Sequence, residues 1–150
     1  MPVFNNIEAI KRDIIKKSEK GIEQAQDRIY KFIDMFLKEY YNEYDPKVYE
    51  RTEQLLNSLV KSKVVSSGNG YVAEVYYDID KLDYSMKKVG GKLVPNHGWS
   101  EEETLASAAR GEHGGYVVGT AIWSDPIAYL PKEAYDILKR ELIKAGIPLK

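Results

Sequence analysis

The amino-acid sequence predicts a single α+β domain over residues 1–150, and three observations favour this class. Apolar residues recur every three or four positions near both ends of the chain, which is typical of amphipathic helices. Between these segments, side chains alternate in character beside a cluster of Ser, Gly and Asn, which is typical of a β-hairpin. The length of 150 residues is that of one typical domain. We therefore expect a long N-terminal amphipathic helix, a short second helix, an antiparallel sheet built on a β-hairpin, and a C-terminal helix.

The first predicted element is one long helix, or two joined helices, over residues 5–41. From Ile22 onward its apolar residues are separated by steps of three and four, the spacing of one helical face. The apolar positions are Ile7, Ile10, Ile14, Ile22, Ala25, Ile29, Phe32, Ile33, Phe36, Leu37 and Tyr40. Gly21 interrupts this pattern and costs about 1 kcal/mol relative to alanine, so it marks a candidate bend. Residues 1–20 are then free to project from the domain.

Two short helices are predicted from their capping residues. Asp45 caps the first of them, which covers residues 46–57 and begins with a proline. The second begins after Ser100, which forms a capping box with Glu103. Gly111 ends this helix, since glycine readily takes the left-handed conformation that follows a helix.

The strongest tertiary prediction is a β-hairpin in the middle of the chain. Two β-prone runs, 60–65 and 71–79, flank the turn-forming cluster at residues 66–70. In the second run the odd-numbered residues share one face and the more polar even-numbered residues share the other. Residues 80–99 show no clean period, so we expect a long, partly mobile loop region over residues 80–116 that surrounds the short helix.

The last part of the sequence predicts one more strand and the terminal helix. Residues 116–123 are rich in β-branched and aromatic side chains, which favours a strand. Residues 124–126 (Ser-Asp-Pro) are typical of a turn. Pro131 then suits the first position of a helix, and Gly146 closes that helix.

The composition is that of a soluble globular protein and excludes several classes. Hydrophobic residues make up 43% and charged residues 30% of the chain, and 22 Lys+Arg against 23 Asp+Glu give a net charge of −1. A protein that binds nucleic acid through phosphates is expected to be basic, so we expect no direct nucleic-acid partner. No apolar run approaches ~18 residues, and the first six residues lack a signal-peptide pattern, so we expect no membrane partner. The absence of cysteine excludes disulfides, thiolate metal sites and cysteine nucleophiles.

No residues in the sequence match a catalytic or metal-binding motif. The spacing of the two histidines, His97 and His113, fits no zinc or non-haem metal pattern. Asp78, Asp80 and Asp83 follow the hairpin, where ordinary turn usage explains them. The chain contains neither a P-loop nor a Gly-x-Ser-x-Gly nucleophile elbow. We therefore predict a protein that is not an enzyme and that has no cofactor, no metal and no catalytic residue.

One stretch of the chain is acidic enough to suggest contact with a partner. Residues 100–128 contain five acidic residues and one basic residue, which is a local net charge of −4. In one interpretation these charges complement helix ends and solvate a loop. In the other, an exposed acidic end of the molecule meets a basic partner. The candidate partner-contact residues are His97, Trp99, Glu101, Glu102, Arg110, Glu112 and His113.

A short segment resembles a motif of small structural proteins from tailed bacteriophages. Residues 49–59 resemble the pattern Tyr-x-Arg-Thr-Gly-x-Leu-x-x-Ser-Ile of neck, head–tail connector and tail-completion proteins of long-tailed siphophages and related prophages. The matching residues are Tyr49, Arg51, Thr52, Leu55 and Ser58. The sequence departs from the pattern at Glu53, where glycine is usual, and at Leu59, where isoleucine is usual. In that family, as predicted here, a strand, a turn and a second strand follow the motif.

The resemblance implies a virion-assembly role for an α+β protein that acts by binding. Its expected partners are itself, in a homo-oligomeric ring, and other phage neck or tail proteins. The expected location is the virion, after synthesis and assembly in the cytoplasm of the bacterial host. Most motif residues are then structural, with Arg51 paired to an acidic neighbour and with Thr52 and Ser58 satisfying helix and strand ends.

Two other functions stay open at the level of sequence. One is a small cytoplasmic regulatory or binding module whose acidic loop recognises a basic partner. The other is a hydrolytic enzyme that uses His97 or His113 with a carboxylate. Self-association separates these alternatives from the phage structural protein, because a ring component must associate with copies of itself.

Overall fold

The structure is a computed structural model that describes residues 7–43, 53–96, 98, 100–113, 116–117 and 119–149. It confirms the predicted α+β class, with helices at both ends of the described chain and small antiparallel sheets between them. The helices are α1 (Ile7–Glu43), α2 (Gln54–Ser58), α3 (Glu101–Ala109) and α4 (Ser124–Lys144). The strands are β1 (Leu59–Lys61), β2 (Val65–Ser67), β3 (Gly70–Val72), β4 (Val75–Tyr77), β5 (Met86–Val89), β6 (Lys92–Pro95), β7 (Glu112–His113) and β8 (Tyr116–Val117). They pair as β1–β4, β2–β3, β5–β6 and β7–β8.

The chain forms two compact units. Unit 1 consists of Met1–Ile29, Lys61–Val75 and Pro131–Lys150. Unit 2 consists of Tyr30–Val60 and Tyr76–Leu130. Both α1 and α4 therefore contribute residues to each unit.

In unit 1, α1 packs closely against α4 at a glycine. The helix continues through Gly21 as one element of 37 residues. A Cβ atom on Gly21 would lie 2.7 Å from Leu142 Cδ2 and 3.2 Å from Leu142 Cα. Gly21 is therefore a close-packing position, and the sequence pattern, which indicates only a candidate bend, does not reveal that role.

The predicted end of the C-terminal helix is confirmed. The Ile147 amide donates to the Leu142 carbonyl and the Gly146 amide donates to the Ile143 carbonyl, both at 2.9 Å. Gly146 itself has φ 93°, in the left-handed region. This is the pair of hydrogen bonds of a Schellman motif, in which glycine is favoured.

The predicted β-hairpin is also confirmed. Strands β2 and β3 pair antiparallel, with Ser67 opposite Gly70, so that Gly68 and Asn69 form a two-residue turn. Gly68 has φ 58°, as the first position of a type II′ turn requires. The predicted alternation holds as well, because odd-numbered residues from 71 to 79 are half-buried and even-numbered residues from 72 to 76 are exposed.

A buried glutamine joins α1 to this hairpin. Gln26, which is 5% exposed, donates from Nε2 to the carbonyl of Ser62 at 3.0 Å and to the carbonyl of Glu74 at 2.8 Å. Ser62 and Glu74 also face each other across the hairpin, where the Ser62 amide donates to the Glu74 carbonyl at 2.9 Å. One side-chain amide thus satisfies two backbone acceptors on the two arms of the hairpin, which sets their position on the helix.

Unit 2 contains most of the buried apolar side chains in the described chain. Its buried apolar residues are Ile33, Leu37, Tyr40, Leu55, Leu59, Leu82, Ala108, Ala121 and Ile122. On α1 the centre of this core is formed by Ile33 and Leu37, while Phe32 and Phe36 are half-buried and pack edge to face at 5.3 Å between ring centroids. The centre of the buried face is therefore at Ile33 and Leu37, and not at Phe32 and Phe36, which belong to the apolar residues spaced by three and four. Tertiary packing determines which of these side chains are covered.

The expectation of irregular structure over residues 80–99 is wrong for part of that range. Strands β5 and β6 form a second hairpin, with Val89 opposite Lys92. Gly90 and Gly91 form its turn and have φ 54° and 79°, as a type I′ turn requires. The lysines on both strands hide the alternation of polarity, but the Gly-Gly pair is itself a hairpin signal.

The predicted strand over residues 116–123 is much shorter than expected. Among the described residues of this range, only Tyr116–Val117 is a strand, and it pairs with Glu112–His113. Ile122 instead lies fully buried in a turn, where its amide donates to the Ala108 carbonyl at 3.1 Å. Burial explains the apolar character of this segment, which the sequence analysis assigns to a strand.

The terminal helix also begins earlier than predicted. It starts at Ser124 and contains Pro131 in its interior. Pro126 lies in its first turn, where the missing backbone N–H would have no helical partner. Ser124 Oγ donates to the Ala109 carbonyl at 2.6 Å and Asp125 Oδ2 accepts from the Ala121 amide at 2.7 Å. These contacts hold the start of the helix.

Gly21→Ala should destabilise the protein by about 1 kcal/mol, because the clash with Leu142 outweighs the gain in helix propensity. Urea unfolding measures the change. In a Leu142→Ala background the same substitution should cost less or become neutral, because the 2.7 Å contact with Leu142 Cδ2 is then removed and only the 3.2 Å contact with the Cα atom remains. A loss of equal size in both backgrounds would contradict close packing as the cause.

Glu53→Gly should stabilise the protein by about 0.5–1 kcal/mol. A left-handed backbone costs a non-glycine residue roughly 1–2 kcal/mol, and glycine removes this cost. Part of the gain is offset, because glycine loses more conformational entropy on folding. Glu53 precedes α2 with φ 59° and ψ 12°. Thermal unfolding measures the change. Glu53→Ala is the matched control, since it removes the side chain and keeps the backbone cost, and it should give no stabilisation.

Candidate functional site

The structure describes part of the predicted partner-contact set. His97 and Trp99 lie outside the described residues. The described members, all in unit 2, are Glu101, Glu102, Arg110, Glu112 and His113. They lie at the start of α3 and in the segment that follows its end.

The start of α3 uses two of its glutamates for structural hydrogen bonds. The predicted capping box is confirmed, since Ser100 Oγ accepts from the Glu103 amide at 3.2 Å and Glu103 Oε2 accepts from the Ser100 amide at 2.8 Å. Glu101 Oε1 accepts from the Tyr84 amide at 2.9 Å. Glu102 is exposed. Of the three carboxylates, Glu102 is thus the one whose charge faces solvent without a structural role shown here.

The segment after α3 is tied to the end of α1 by a buried tyrosine. Tyr40 is 4% exposed, and its hydroxyl lies 3.0 Å from the Glu112 carbonyl and 3.0 Å from His113 Nδ1. A phenol has one proton, so when Tyr40 donates to the carbonyl, His113 Nδ1 is the donor to Tyr40. Arg110 and Glu112 form an exposed ion pair at 3.1 Å, a kind of pair worth about 0–1 kcal/mol.

A carboxylate at the end of α1 holds the same segment at a second point. Glu43 accepts from the Thr120 amide at 2.6 Å and from Thr120 Oγ1 at 2.8 Å. A Cβ on Gly119 would lie 2.8 Å from Glu43 Oε2, and a Cβ on Gly111 would lie 2.7 Å from the Gly119 carbonyl oxygen. Residues 110–120, where they are described, therefore form a closely packed and hydrogen-bonded structure.

Two tyrosines of unit 2 keep their phenol protons at neutral pH. Burial raises the pKa of Tyr77 and of Tyr84 above its ordinary value, and nearby acidic groups add to the shift. The Tyr77 hydroxyl donates to the Ile122 carbonyl at 3.1 Å, and its ring packs edge-on to Trp123. Both phenols stay protonated through the physiological range.

A charged cluster in unit 1 is missed by the sequence analysis. Glu141 is 3% exposed, and its Oε1 lies 2.5 Å from Arg28 Nε, 3.1 Å from Lys144 Nζ and 3.6 Å from Arg140 Nε. Burial opposes ionisation of Glu141, but the hydrogen bond from Lys144 and the charges of Arg28 and Arg140 outweigh it and lower the pKa of the carboxyl. The pairing of Glu141 with Lys144 has helical spacing, whereas Arg28 comes from α1 and only the fold brings it there.

The N-terminal part of α1 exposes a row of isoleucines. Ile7, Ile10 and Ile14 follow the i, i+3, i+7 spacing of one helical face, and they are 70%, 41% and 49% exposed. Ile15 beside them is 52% exposed. Contiguous exposed apolar side chains of this kind mark interaction surfaces more often than isolated ones do.

The motif that resembles phage proteins is described only at its end. Tyr49, Arg51 and Thr52 lie outside the described residues. Leu55 and Ser58 are buried, and Ser58 Oγ donates to the Leu55 carbonyl at 2.7 Å. These two motif residues therefore contribute to the core and to the end of α2.

The described chain contains neither a metal cluster nor a spanning helix. Within the described ranges, no group of three or more Asp, Glu or His side chains lies close enough to hold a metal ion. Of the helices that the structure includes, none is long and apolar enough to cross a bilayer. The absence of an enzymatic function stays a prediction.

Glu141→Gln should lower the midpoint of urea unfolding at pH 7, because three cations lose their charged partner. The pKa of Glu141 in the folded state is below its ordinary value of 4.5, so the stabilisation is present above about pH 4.5 and is lost as the pH falls through the folded pKa. The difference between wild type and variant should therefore shrink in acid. Glu133→Gln, an exposed position on the same helix, should show no such difference at any pH.

Comparison with known proteins gives one family match. No curated protein and no solved structure matches the chain. The model of the family described as YomN, a name associated with Bacillus phages and prophages, matches residues 6–144, which is almost the whole chain. The chain therefore belongs to the YomN family and is phage-related.

Proposed function

We propose that this phage-related protein is a virion structural component of the neck or tail-completion type that acts by oligomerisation and protein–protein contact. The observation that carries the proposal is the backbone at position 53. Connector and tail-completion proteins have glycine at the corresponding position of their motif, and Glu53 has φ 59°, a conformation that favours glycine. The backbone at this position is thus one that glycine, the usual residue of the motif, would adopt readily, and this supports the resemblance.

Two further features of the chain support the proposal. Leu55 and Ser58, which match the motif, lie at the junction of α2 and β1, and antiparallel strands follow them. The row formed by Ile7, Ile10 and Ile14 supports a protein that works through contacts, since exposed apolar side chains are costly in an isolated protein.

The alternatives rest on less. A hydrolytic role for His113 is not favoured, because its Nδ1 is engaged by Tyr40 and its neighbour Glu112 pairs with Arg110. A regulatory module that recognises a basic partner would use Glu102, which is exposed and lies outside the hydrogen bonds of Glu101 and Glu103. That function requires a small species that binds one defined partner.

The proposal is tested by the mass of the purified protein in solution. Multi-angle light scattering over a concentration series should show a species larger than the 17.1 kDa chain, and electron microscopy should show closed rings. Co-purification with neck or tail proteins from induced host cells should accompany it. A strict monomer at every concentration that also fails to co-purify with any phage structural protein would contradict the proposal.

A further inference from the structure

The two compact units carry opposite net charges. In the sequence, unit 1 contains 13 Lys+Arg and 9 Asp+Glu, a net charge of +4, while unit 2 contains 9 Lys+Arg and 14 Asp+Glu, a net charge of −5. The total of −1 for the chain conceals this separation. A chain with one positive and one negative unit has, in every copy, both halves of a complementary pair.

Three of the 13 basic residues of unit 1 form one ordered group of side chains. We call Arg28, Arg140 and Lys144 the cation cluster, since all three contact the buried carboxylate of Glu141. One carboxylate against three cations leaves an excess of +2. The side chains of the cluster are 48%, 54% and 51% exposed, so their charge reaches solvent. Because Glu141 already restrains them, binding an acidic partner costs less side-chain entropy than ordering free lysines or arginines would.

We infer that copies of this chain associate head to tail, with the cation cluster of one copy against unit 2 of the next. The inference rests on the proposed function and names the surfaces that would build its oligomer. A second copy fits the cation cluster better than nucleic acid does, because unit 2 of the same chain would repel phosphates while it attracts unit 1 of a neighbour. A contact between two different surfaces repeats from copy to copy. It forms a closed ring when the rotation that relates one copy to the next adds up to a full turn.

Within unit 2, the exposed charge of Glu102 is a suitable point at which to test this contact. It lies in the first turn of α3, a helix with three glutamates and no basic residue. Glu101 and Glu103 are engaged by backbone amides, so changing them would disturb the fold, whereas Glu102 is exposed and outside those bonds.

The test uses two charge reversals, each with a matched control in its own unit. Arg140→Glu changes the member of the cation cluster with the longest contact to Glu141, and Glu102→Lys changes unit 2. Lys132→Glu and Glu39→Lys make the same charge changes at other exposed positions of unit 1 and unit 2. Circular dichroism and the melting temperature establish that each variant is folded. Arg140→Gln replaces Arg140→Glu if the reversal unfolds unit 1.

Sedimentation equilibrium at low and high salt measures the association of the full chain. Wild type should associate, and more weakly at high salt, because salt screens the attraction. Arg140→Glu and Glu102→Lys should each lower the association constant by at least about tenfold, and the two controls should leave it unchanged. An equimolar mixture of the two reversed variants should associate again when the two variants alternate. At one kind of contact the unchanged cation cluster then meets an unchanged unit 2. At the other kind, the cluster that carries Arg140→Glu meets the unit 2 that carries Glu102→Lys, so the charges are opposite there too.

Three results would overturn the inference. If wild type associates but neither reversal weakens it beyond its control, the association of the proposed function stands and the charge-based contact is wrong. If the mixture of reversed variants fails to associate, the contact is not head to tail. If wild type stays monomeric and binds a short labelled DNA duplex that Arg140→Glu does not bind, the cation cluster recognises nucleic acid. In that last case self-association in solution fails as well, and co-purification with phage neck or tail proteins then decides whether the proposed function stands.

Discussion

One uninterrupted helix has to satisfy a different neighbour along each part of its length, and this constraint shapes the rest of the fold. In unit 1, α1 presents Gly21 to α4 and Gln26 to the β2–β3 hairpin. In unit 2 it buries Ile33 and Leu37. A solvent-exposed helix is only marginally stable in water, so these successive contacts supply much of what keeps a helix of 37 residues formed.

Buried polar groups define how the elements meet. Gln26 contacts the carbonyls of Ser62 and Glu74, which lie between strands. Tyr40 contacts a carbonyl and His113, and Glu141 contacts three cations. Each of these groups would be costly to bury alone, so each tolerates few alternative arrangements of its neighbours. Apolar packing supplies stability, whereas these directional contacts select one register of helix against strand or loop.

Two of the side chains that looked most reactive in the sequence have structural partners. His113 Nδ1 contacts the Tyr40 hydroxyl, and Glu112 pairs with Arg110. The features without such a role are an exposed apolar row on α1 and an excess of positive charge around Glu141. Membership of the YomN family gives these surfaces a phage-related context, in which assembly is the function that we propose.

The elements that depend on local spacing and local hydrogen bonds could be predicted from the sequence. The long helix, the capping box at Ser100, the turn at Gly68 and the glycine that closes α4 all follow from residues within a few positions of one another. The hairpin at Gly90 also had a local signal, which the lysines around it obscured.

Tertiary contacts determine which residues of these elements are buried, where α4 begins, and which charged side chains pair. Helical periodicity cannot show that Ile33 and Leu37 form the centre of a core. Strand propensity likewise cannot show that Ile122 is buried in a turn and not in a strand. Neither pattern can bring Arg28 to Glu141, because these residues are distant in sequence and meet only when α1 packs against α4. The physical reason is that burial and charge pairing depend on the surface that the rest of the chain presents, which no local pattern contains.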